Sequence, residues 1–332
     1  MKIITHGTRG SIPVSGEQFV RYGGNTTCIE IQSACLPPHH WLVVDGGSGY
    51  VPFSQKVFRA TDSADFAKTK VHALLTHFHY DHIIGILLAI LTFIKMIKIH
   101  LYGPIDHAIG PKKMMEDVMR PPYFPVHFLE QSDHFDFTDF EYLNTNVVVF
   151  HPRGGSAVFT VANLEQFERE GGHVPVGDGK YPLDECLVVK TLKSNHPDQT
   201  ISYRFEERPT DKVCVILTDH ENQSAISGDM KRHLKDVDLL IIDGQYDKTR
   251  YFTRTAGFGH GTGEYCATLA WHCEVKKVGL THHDPSSTDE QVDAILKEAR
   301  AKVTDLRSGY TGQQGLLEEN VFACADYQEI EV

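Results

Sequence analysis

The stretch Leu74-Leu-Thr-His77-Phe-His79-Tyr-Asp81-His82 places three imidazoles and one carboxylate directly after an apolar run. Residues two apart on an extended chain point the same way, so His77 and His79 can reach one cation. Asp81 and His82 follow at the predicted turn into a helix and can face a second cation. Imidazole nitrogen and carboxylate oxygen suit borderline cations such as Zn²⁺, and without thiolates nearby the site can stay open to water. This spacing predicts metal binding.

Four more ligand-type side chains follow apolar, β-branched runs elsewhere in the chain: Asp45, His196, Asp219 and His282. Asp45 ends the run WLVVD, and His196 follows the run LVVKTL by four positions. The carboxyl ends of strands are where sheet proteins commonly assemble sites from distant parts of the chain. We therefore expect these residues to join the cluster that begins at His77.

Neighbouring residues leave alternatives open. Asp229 in SGDM is the alternative to Asp219, although it also fits an ordinary turn. His283 competes with His282, and because adjacent side chains diverge on an extended chain, only one of the two should bind. We prefer His282 because it directly follows the predicted strand. Asp243, at the end of LLIID, fits either a residue behind the ligands or a strand-end turn.

Short β-branched runs recur along the chain and predict strands. They cover residues 27–32, 41–45, 71–77, 97–103, 147–150, 187–192, 201–206, 213–219, 239–243 and 278–282. Helical patterns lie at 82–96, 111–119, 263–273 and 288–300, and Ser287-Thr-Asp-Glu290 has the form of a capping box. Many strands with few helices indicate sheets stacked face to face with helices outside. The pattern loosens over 104–185, which we interpret as an elaboration of a single domain spanning 1–332.

The composition excludes several classes of protein. The chain has 332 residues, 41% of them hydrophobic and 23% charged, which is typical of globular proteins rather than disordered or fibrous ones. Because 32 Lys and Arg stand against 44 Asp and Glu, the formal charge is −12. This negative charge disfavours a protein whose whole surface binds nucleic acid.

Sequence features also predict the compartment. The longest apolar run, 83–94, is too short to cross a bilayer, and we interpret it as a buried helix. The first residues show no signal-peptide pattern. The seven cysteines are odd in number and never spaced as C-x-x-C, which favours a reducing environment over a disulfide framework. We expect a cytoplasmic protein without a membrane partner.

The motif H-x-H-x-D-H, here His77, His79, Asp81 and His82, resembles the signature of the metallo-β-lactamase superfamily. Segments further along the chain are similar to the branch that contains ribonuclease Z and cyclic-phosphate phosphodiesterases. They are GTRGSIPVSG at 7–16, YGGNTTCIEI at 22–31, VVDGGSG at 43–49, NHP at 195–197, TDHE at 218–221, GHGT at 259–262 and LTHHDP at 280–285. The resemblance covers most of the chain and is weakest over 104–185.

This resemblance implies an α/β (α+β) fold, a four-layer αββα sandwich of two mixed β-sheets flanked by helices, with two divalent ions at one edge. His77, His79 and His196 would bind the first ion. Asp81, His82 and His282 would bind the second, and Asp219 would bridge the two. Asp45 would orient the ligands through hydrogen bonds. We expect Zn²⁺, with Mn²⁺ or Fe²⁺ as alternatives.

The resemblance also implies a reaction. A metal-bridged hydroxide would attack a small or cyclic phosphodiester such as a cyclic nucleotide, with Asp81 orienting the attack. His260, in GHGT, would protonate the leaving group, although it also fits an ordinary helix-entry position. The expected partner is this small-molecule substrate, with no stable nucleic-acid complex; because relatives are often homodimers, a homodimer is also allowed.

Three other functions remain as alternatives. Ribonuclease Z relatives, which process tRNA 3′ ends, hold tRNA with an arm inserted after the third ligand motif. Here His196 and Asp219 are 23 positions apart, and two predicted strands fill that span. The other two are thioester or lactam hydrolysis and a ligand-binding sensor without catalysis. The complete set of predicted ligands disfavours the sensor.

Overall fold

The computed structural model describes residues 1–309 and 315–332. Strands β1 to β6 are Lys2–Gly7, Cys28–Gln32, His40–Val44, Lys70–Leu74, Lys98–Pro104 and Phe135–Phe140. Strands β7 to β12 are Asn146–His151, Gly155–Thr160, His173–Val176, Gly179–Pro182, Leu187–Lys193 and Ile201–Glu207. Strands β13 to β17 are Lys212–Leu217, Leu239–Asp243, Lys277–Thr281, Val321–Ala323 and Gln328–Glu331. Helices α1 to α8 are Tyr50–Ala60, Tyr80–Leu88, Pro111–Val118, Val161–Arg169, Gly228–His233, Lys248–Arg250, Gly263–His272 and Asp289–Ser308.

Within these described residues the strands form two large sheets and one small hairpin. The first sheet has the order β17-β1-β2-β3-β4-β5-β6, and the second has the order β16-β15-β14-β13-β12-β11-β7-β8. In each sheet an antiparallel portion is joined to a run of parallel strands, β3 to β6 in the first and β13 to β16 in the second. Both sheets are therefore mixed.

The main core lies between the two sheets. Leu42 and Val44 of β3 belong to it together with Ile216 of β13 and Ile241 of β14. Val43, one position along β3, faces the opposite way because side chains alternate along a strand. Each sheet thus buries apolar side chains on both faces.

Helices cover the two outer faces. On the first sheet, Val43 packs in a buried cluster with Phe53 of α1 and Met115 of α3. On the second sheet, Leu240 packs in a cluster with Ala267 of α7 and Ile295 of α8. The layers are helix, sheet, sheet and helix, and the predicted αββα sandwich is confirmed.

The structure corrects the predicted helix over 82–96. Helix α2 ends at Leu88, Ala89 is extended, and a short 3-10 turn follows at Ile90–Phe93. The Thr92 hydroxyl hydrogen-bonds the carbonyl oxygen of Ile86, which stabilises the turn in place of another helical turn. Leu88 is 65% exposed, so the interpretation of 83–94 as one buried helix is wrong. No helix among the described residues has the length and apolar character needed to span a bilayer.

The start of the last helix also differs by one residue. Thr288, rather than Ser287, is the N-cap of α8, and it forms a reciprocal capping box with Gln291. The carbonyl oxygen of Ser287 instead accepts a hydrogen bond from the Arg9 guanidinium, which holds this residue outside the helix.

The stretch 104–185 contributes to both sheets. It supplies β6 at one edge of the first sheet, and β7 and β8 at one edge of the second. It also carries α3, α4 and the β9–β10 hairpin. The loosened sequence pattern therefore corresponds to short edge elements packed on the sandwich.

Candidate metal centre

Three residues of the predicted site lie just past the carboxyl ends of strands in the two sheets, whereas Asp81 and His82 lie in the first turn of α2. Asp45 follows β3, Asp219 follows β13 and His282 follows β15. These three residues have left-handed backbone conformations, with φ of 61°, 51° and 60°. Asp and His tolerate this region better than most residues, and it turns the chain sharply at each strand end.

Asp219 is the centre of the cluster. Its carboxylate oxygens lie 3.2 Å from Nε2 of His82 and 3.5 Å from Nε2 of His282. Nε2 of His77 is 3.8 Å away, and Nε2 of His196 is 4.0 Å away. Asp219 is 1% exposed, so these contacts are shielded from bulk water.

The other predicted ligands surround this carboxylate. Asp81 Oδ2 lies 3.3 Å from Nε2 of His82 and 3.2 Å from Nε2 of His282. The rings of His77 and His79 have centroids 4.3 Å apart, and His79 lies 5.2 Å from His196. The structure thus brings together all seven residues selected from the sequence: His77, His79, Asp81, His82, His196, Asp219 and His282.

The donor set fits bound cations. Both carboxylate oxygens of Asp219 and the Nε2 of His77 are buried without a hydrogen-bond partner. Leaving such groups unsatisfied costs about 1–3 kcal/mol each, and more when they are charged. Sets of three ligand atoms within 4.8 Å of one another include His77 with His79 and His196, and Asp81 with His82 and His282. Nitrogen and oxygen ligands of this kind suit Zn²⁺, Mn²⁺ or Fe²⁺.

Hydrogen bonds behind the histidines orient their rings. His82 Nδ1 is 2.8 Å from Asp45 Oδ2, and His282 Nδ1 is 2.8 Å from Gln245 Oε1. Asp45 also accepts hydrogen bonds from the backbone amide and hydroxyl of Thr76. A proton held at Nδ1 leaves the Nε2 lone pair directed at the centre. The structure places Asp45 where the resemblance implies an orienting carboxylate.

His79 has the opposite arrangement. Its side chain is 48% exposed, and its Nε2 lies 2.8 Å from Asp198 Oδ2. Because a proton at Nε2 would be donated to Asp198, the Nδ1 of this ring is the free ligand atom. Asp198 was missed by the sequence analysis, and its position two residues after His196 was the available signal.

His260 lies beside the cluster and is paired with a buried carboxylate. Its Nδ1 is 2.8 Å from Asp243 Oδ2 and 3.8 Å from Asp219 Oδ1. Its ring stacks on His282 with centroids 4.9 Å apart. Asp243 also accepts a hydrogen bond from the backbone amide of Gln245 at 3.0 Å. Of the two interpretations of Asp243, the structure therefore supports a residue behind the site.

The remaining alternatives lie away from the cluster. His283 turns away and places Nε2 2.9 Å from the carbonyl oxygen of Cys324. Asp229 is exposed in the first turn of α5 and pairs with Arg232. The structure places His282 and Asp219 in the centre instead. Gln245 was missed because an amide has no metal-ligand signature in sequence.

For each ionisable group in the cluster, burial and the neighbouring opposite charges shift the pKa in opposite directions. Burial alone would raise the pKa of Asp219, but the His282, His82 and His77 imidazoles lower it well below its usual value. Burial alone would lower the pKa of His282, but Asp219 and Asp81 raise it to about 9. For His77 burial prevails, and its pKa lies well below the usual value. The cluster stabilises positive charge around Asp219.

Sequence comparison with known proteins finds relatives named ribonuclease Z. No protein-family model matches the sequence. The chain is 24% identical over 246 residues to a ribonuclease Z of Metallosphaera sedula, covering 68% of this chain and 74% of that protein. Ribonuclease Z of Natronomonas pharaonis is also 24% identical, over 69% of this chain and 76% of its own length.

Solved structures with the same fold span nearly the whole chain. The metallo-β-lactamase fold protein YhfI of Bacillus subtilis superposes with a TM-score of 0.59 and 16% identity, covering 99% of this chain and 98% of its own. Human tRNase Z, short form (ELAC1), gives a TM-score of 0.58 and 17% identity, covering 100% and 99%. The chain therefore has the metallo-β-lactamase fold and, in sequence and architecture, resembles the branch of that superfamily that contains ribonuclease Z.

Proposed function

We propose that the protein is a metal-dependent hydrolase that cleaves a small or cyclic phosphodiester, such as a cyclic nucleotide. The observation that carries this proposal is the buried Asp219 carboxylate, whose two oxygens lack hydrogen bonds amid a ring of imidazoles. Similarity to ribonuclease Z supports hydrolysis as the reaction class.

The chain offers ligands for two cations. His77, His79 and His196 would hold one, Asp81, His82 and His282 would hold the other, and Asp219 between them would contact both. When bound, a pair of divalent ions supplies Lewis acidity and makes water nucleophilic near neutral pH. Asp81 and Asp219 would orient the attacking water and balance the positive charge of these ions.

His260 would act as the proton donor to the leaving group. Its Nδ1 is fixed by Asp243, which leaves Nε2 for the departing oxygen. The Asp243 carboxylate keeps the His260 ring in this orientation. General acid catalysis of this kind is typically worth 10² to 10⁴ in rate.

We propose a small substrate because the chain between His196 and Asp219 is short and has no arm to hold a large one. Residues 194–219 consist of a short loop, strands β12 and β13, and the tight turn joining them. This span forms part of the second sheet rather than a protruding arm. The acidic formal charge of −12 also favours a small ligand over a long polyanion.

Processing of tRNA 3′ ends is the second candidate, and the similarity to proteins named ribonuclease Z favours it. The two functions differ in the size of the substrate that must be held. A direct comparison of cyclic mononucleotides, cyclic dinucleotides and a tRNA precursor separates them.

The first experiment measures hydrolysis of bis(p-nitrophenyl) phosphate and of this substrate panel by protein reconstituted with Zn²⁺ or Mn²⁺. We expect turnover of the small phosphodiesters, and loss of that turnover in His79→Ala. His107→Ala is the control, because its side chain is 83% exposed and lies outside the cluster. Cleavage of the tRNA precursor alone would favour the second candidate. Turnover only of S-lactoylglutathione or nitrocefin would overturn both, and metal binding without any turnover would favour a sensor.

A further inference from the structure

The segment 248–259, called the aromatic segment here, leads directly into His260. It consists of α6, a wide helical turn at Tyr251–Thr255 and a glycine-rich end. Phe252 and Phe258 on this segment are 69% and 61% exposed. Single exposed aromatic residues are ordinary on protein surfaces, so exposure alone implies no function.

The backbone around Phe258 is fixed by one carboxylate. Glu221 accepts hydrogen bonds from the amides of Gly257 and Gly259, on either side of Phe258. It also accepts a hydrogen bond from the Tyr251 hydroxyl at 2.9 Å. Gly257 and Gly259 both have φ of 94°, a conformation that side chains rarely adopt. The aromatic segment therefore presents Phe258 from a defined backbone position.

The backbone directly after Phe258 contacts the candidate metal centre. A Cβ added at Gly259 would overlap the imidazole of His196, so the backbone at 259 touches a candidate ligand. Consecutive α-carbons are about 3.8 Å apart, which places Phe258 within one residue of that contact. His260, two positions on, is the candidate proton donor.

Two other aromatic residues near the motifs lack this combination. Tyr246 is 4% exposed, its hydroxyl accepts a hydrogen bond from Gln245 Nε2, and its ring faces the Arg250 guanidinium. Tyr80 is 67% exposed in the first turn of α2. Of Tyr80, Tyr246 and Phe258, only Phe258 is flanked by two backbone amides that donate to the same carboxylate, that of Glu221.

Resting on the proposed function, we propose that Phe258 is a stacking platform for the base of a nucleotide substrate. A planar base can stack on a phenyl ring whatever its sequence identity, and such contacts contribute strongly to nucleotide binding. Because Glu221 has already ordered the backbone, little further ordering opposes binding. The substrate class this adds is a phosphodiester that carries a nucleobase.

The test compares two substrates with the same leaving group, thymidine 5′-p-nitrophenyl phosphate and methyl p-nitrophenyl phosphate. Only the first carries a base. We expect Phe258→Ala to lower the ratio of kcat/KM for the first over the second by about tenfold. Phe258→Trp should keep the ratio, and Phe252→Ala is the matched control, with the same residue type and similar exposure on the same segment.

A binding measurement separates this inference from the proposed function. Calorimetry with thymidine 5′-phosphate and ribose 5-phosphate reports the preference for a base even without turnover. We expect Phe258→Ala to reduce that preference by about tenfold. Unchanged preference in both assays would overturn the inference, as would an equal loss in Phe252→Ala or a loss confined to Tyr80→Ala. Absence of hydrolysis with the binding preference intact would overturn only the proposed function.

Discussion

Asp45 shows how a residue that would not touch a cation can control one that would. It is fully buried, and its carboxylate is shared between His82 and Thr76. Asp45→Asn keeps the shape but replaces one carboxylate oxygen by an amide nitrogen, which cannot accept the His82 proton. We expect metal affinity to fall by about 10- to 100-fold. Competition with a chromophoric chelator measures it, and Asp229→Asn, an exposed change, serves as the control.

Protons and cations compete for His282. With no metal bound, the pKa of His282 is raised to about 9, against 6.5 for an ordinary histidine. The charged ring therefore stabilises the metal-free fold fully below about pH 6.5, and this contribution is lost as the pH rises to about 9. Because a cation must displace the proton, metal affinity should rise across the same window.

Calorimetric titrations in buffers of different ionisation enthalpy test this competition. Proton release on metal binding should be larger at pH 7 than at pH 9.5. Equal release at both pH values, together with a pH-independent affinity, would show that His282 is already neutral in the metal-free protein.

At the scale of secondary structure, a glycine loop after β1 supports the metal centre. A Cβ added at Gly10 would overlap the His282 ring, so this loop can approach the ring only without a side chain. Gly10→Ala should displace His282 and lower metal affinity by at least about tenfold. Gly228→Ala is the control, because a Cβ there meets only the flexible end of Arg232 at 3.4 Å. Retention of normal affinity in Gly10→Ala would mean that the loop yields instead.

Strand ends also explain how much of the site the sequence could predict. His77, Asp219 and His282 follow short, continuous apolar runs, which are typical of strands buried on both faces. The hydrogen bond between His79 and Asp198 depends on where two loops meet, which periodicity does not encode. The helix over 82–96 was overestimated because its residues are mostly apolar, and the local hydrogen bond from the Thr92 hydroxyl to the Ile86 carbonyl oxygen has no signal in the hydrophobic pattern. Strand β17 was missed because a four-residue strand at the edge of a sheet carries a weak pattern, and β1 beside it was also missed.

For the whole molecule, the ligands connect the two sheets. His77 follows β4 of the first sheet and His82 lies in the next helix, α2, whereas Asp219 and His282 follow β13 and β15 of the second sheet. Bound cations should therefore resist separation of the sheets. Saturation at about 1,000 times the dissociation constant adds about 4 kcal/mol per independent site. We expect chelation to lower the Tm and Zn²⁺ to restore it, as measured by calorimetry.

Selective hydrogen exchange provides the corresponding control. Protection should fall on chelation at the ends of β4 and β13, and much less in the β9–β10 hairpin, which lies outside the two sheets. A Tm that is identical with and without metal would contradict this cross-linking role.

The left-handed backbone at positions 45, 219 and 282 restricts any attempt to engineer the metal preference of this protein. Thiolate ligands introduced there would have to adopt a geometry that disfavours most side chains, whereas Asn, Asp and His tolerate it. At positions 77 and 196 the backbone is not left-handed, so it does not restrict the choice of side chain in this way. A designer seeking a softer, sulfur-containing coordination sphere should therefore begin with those two histidines.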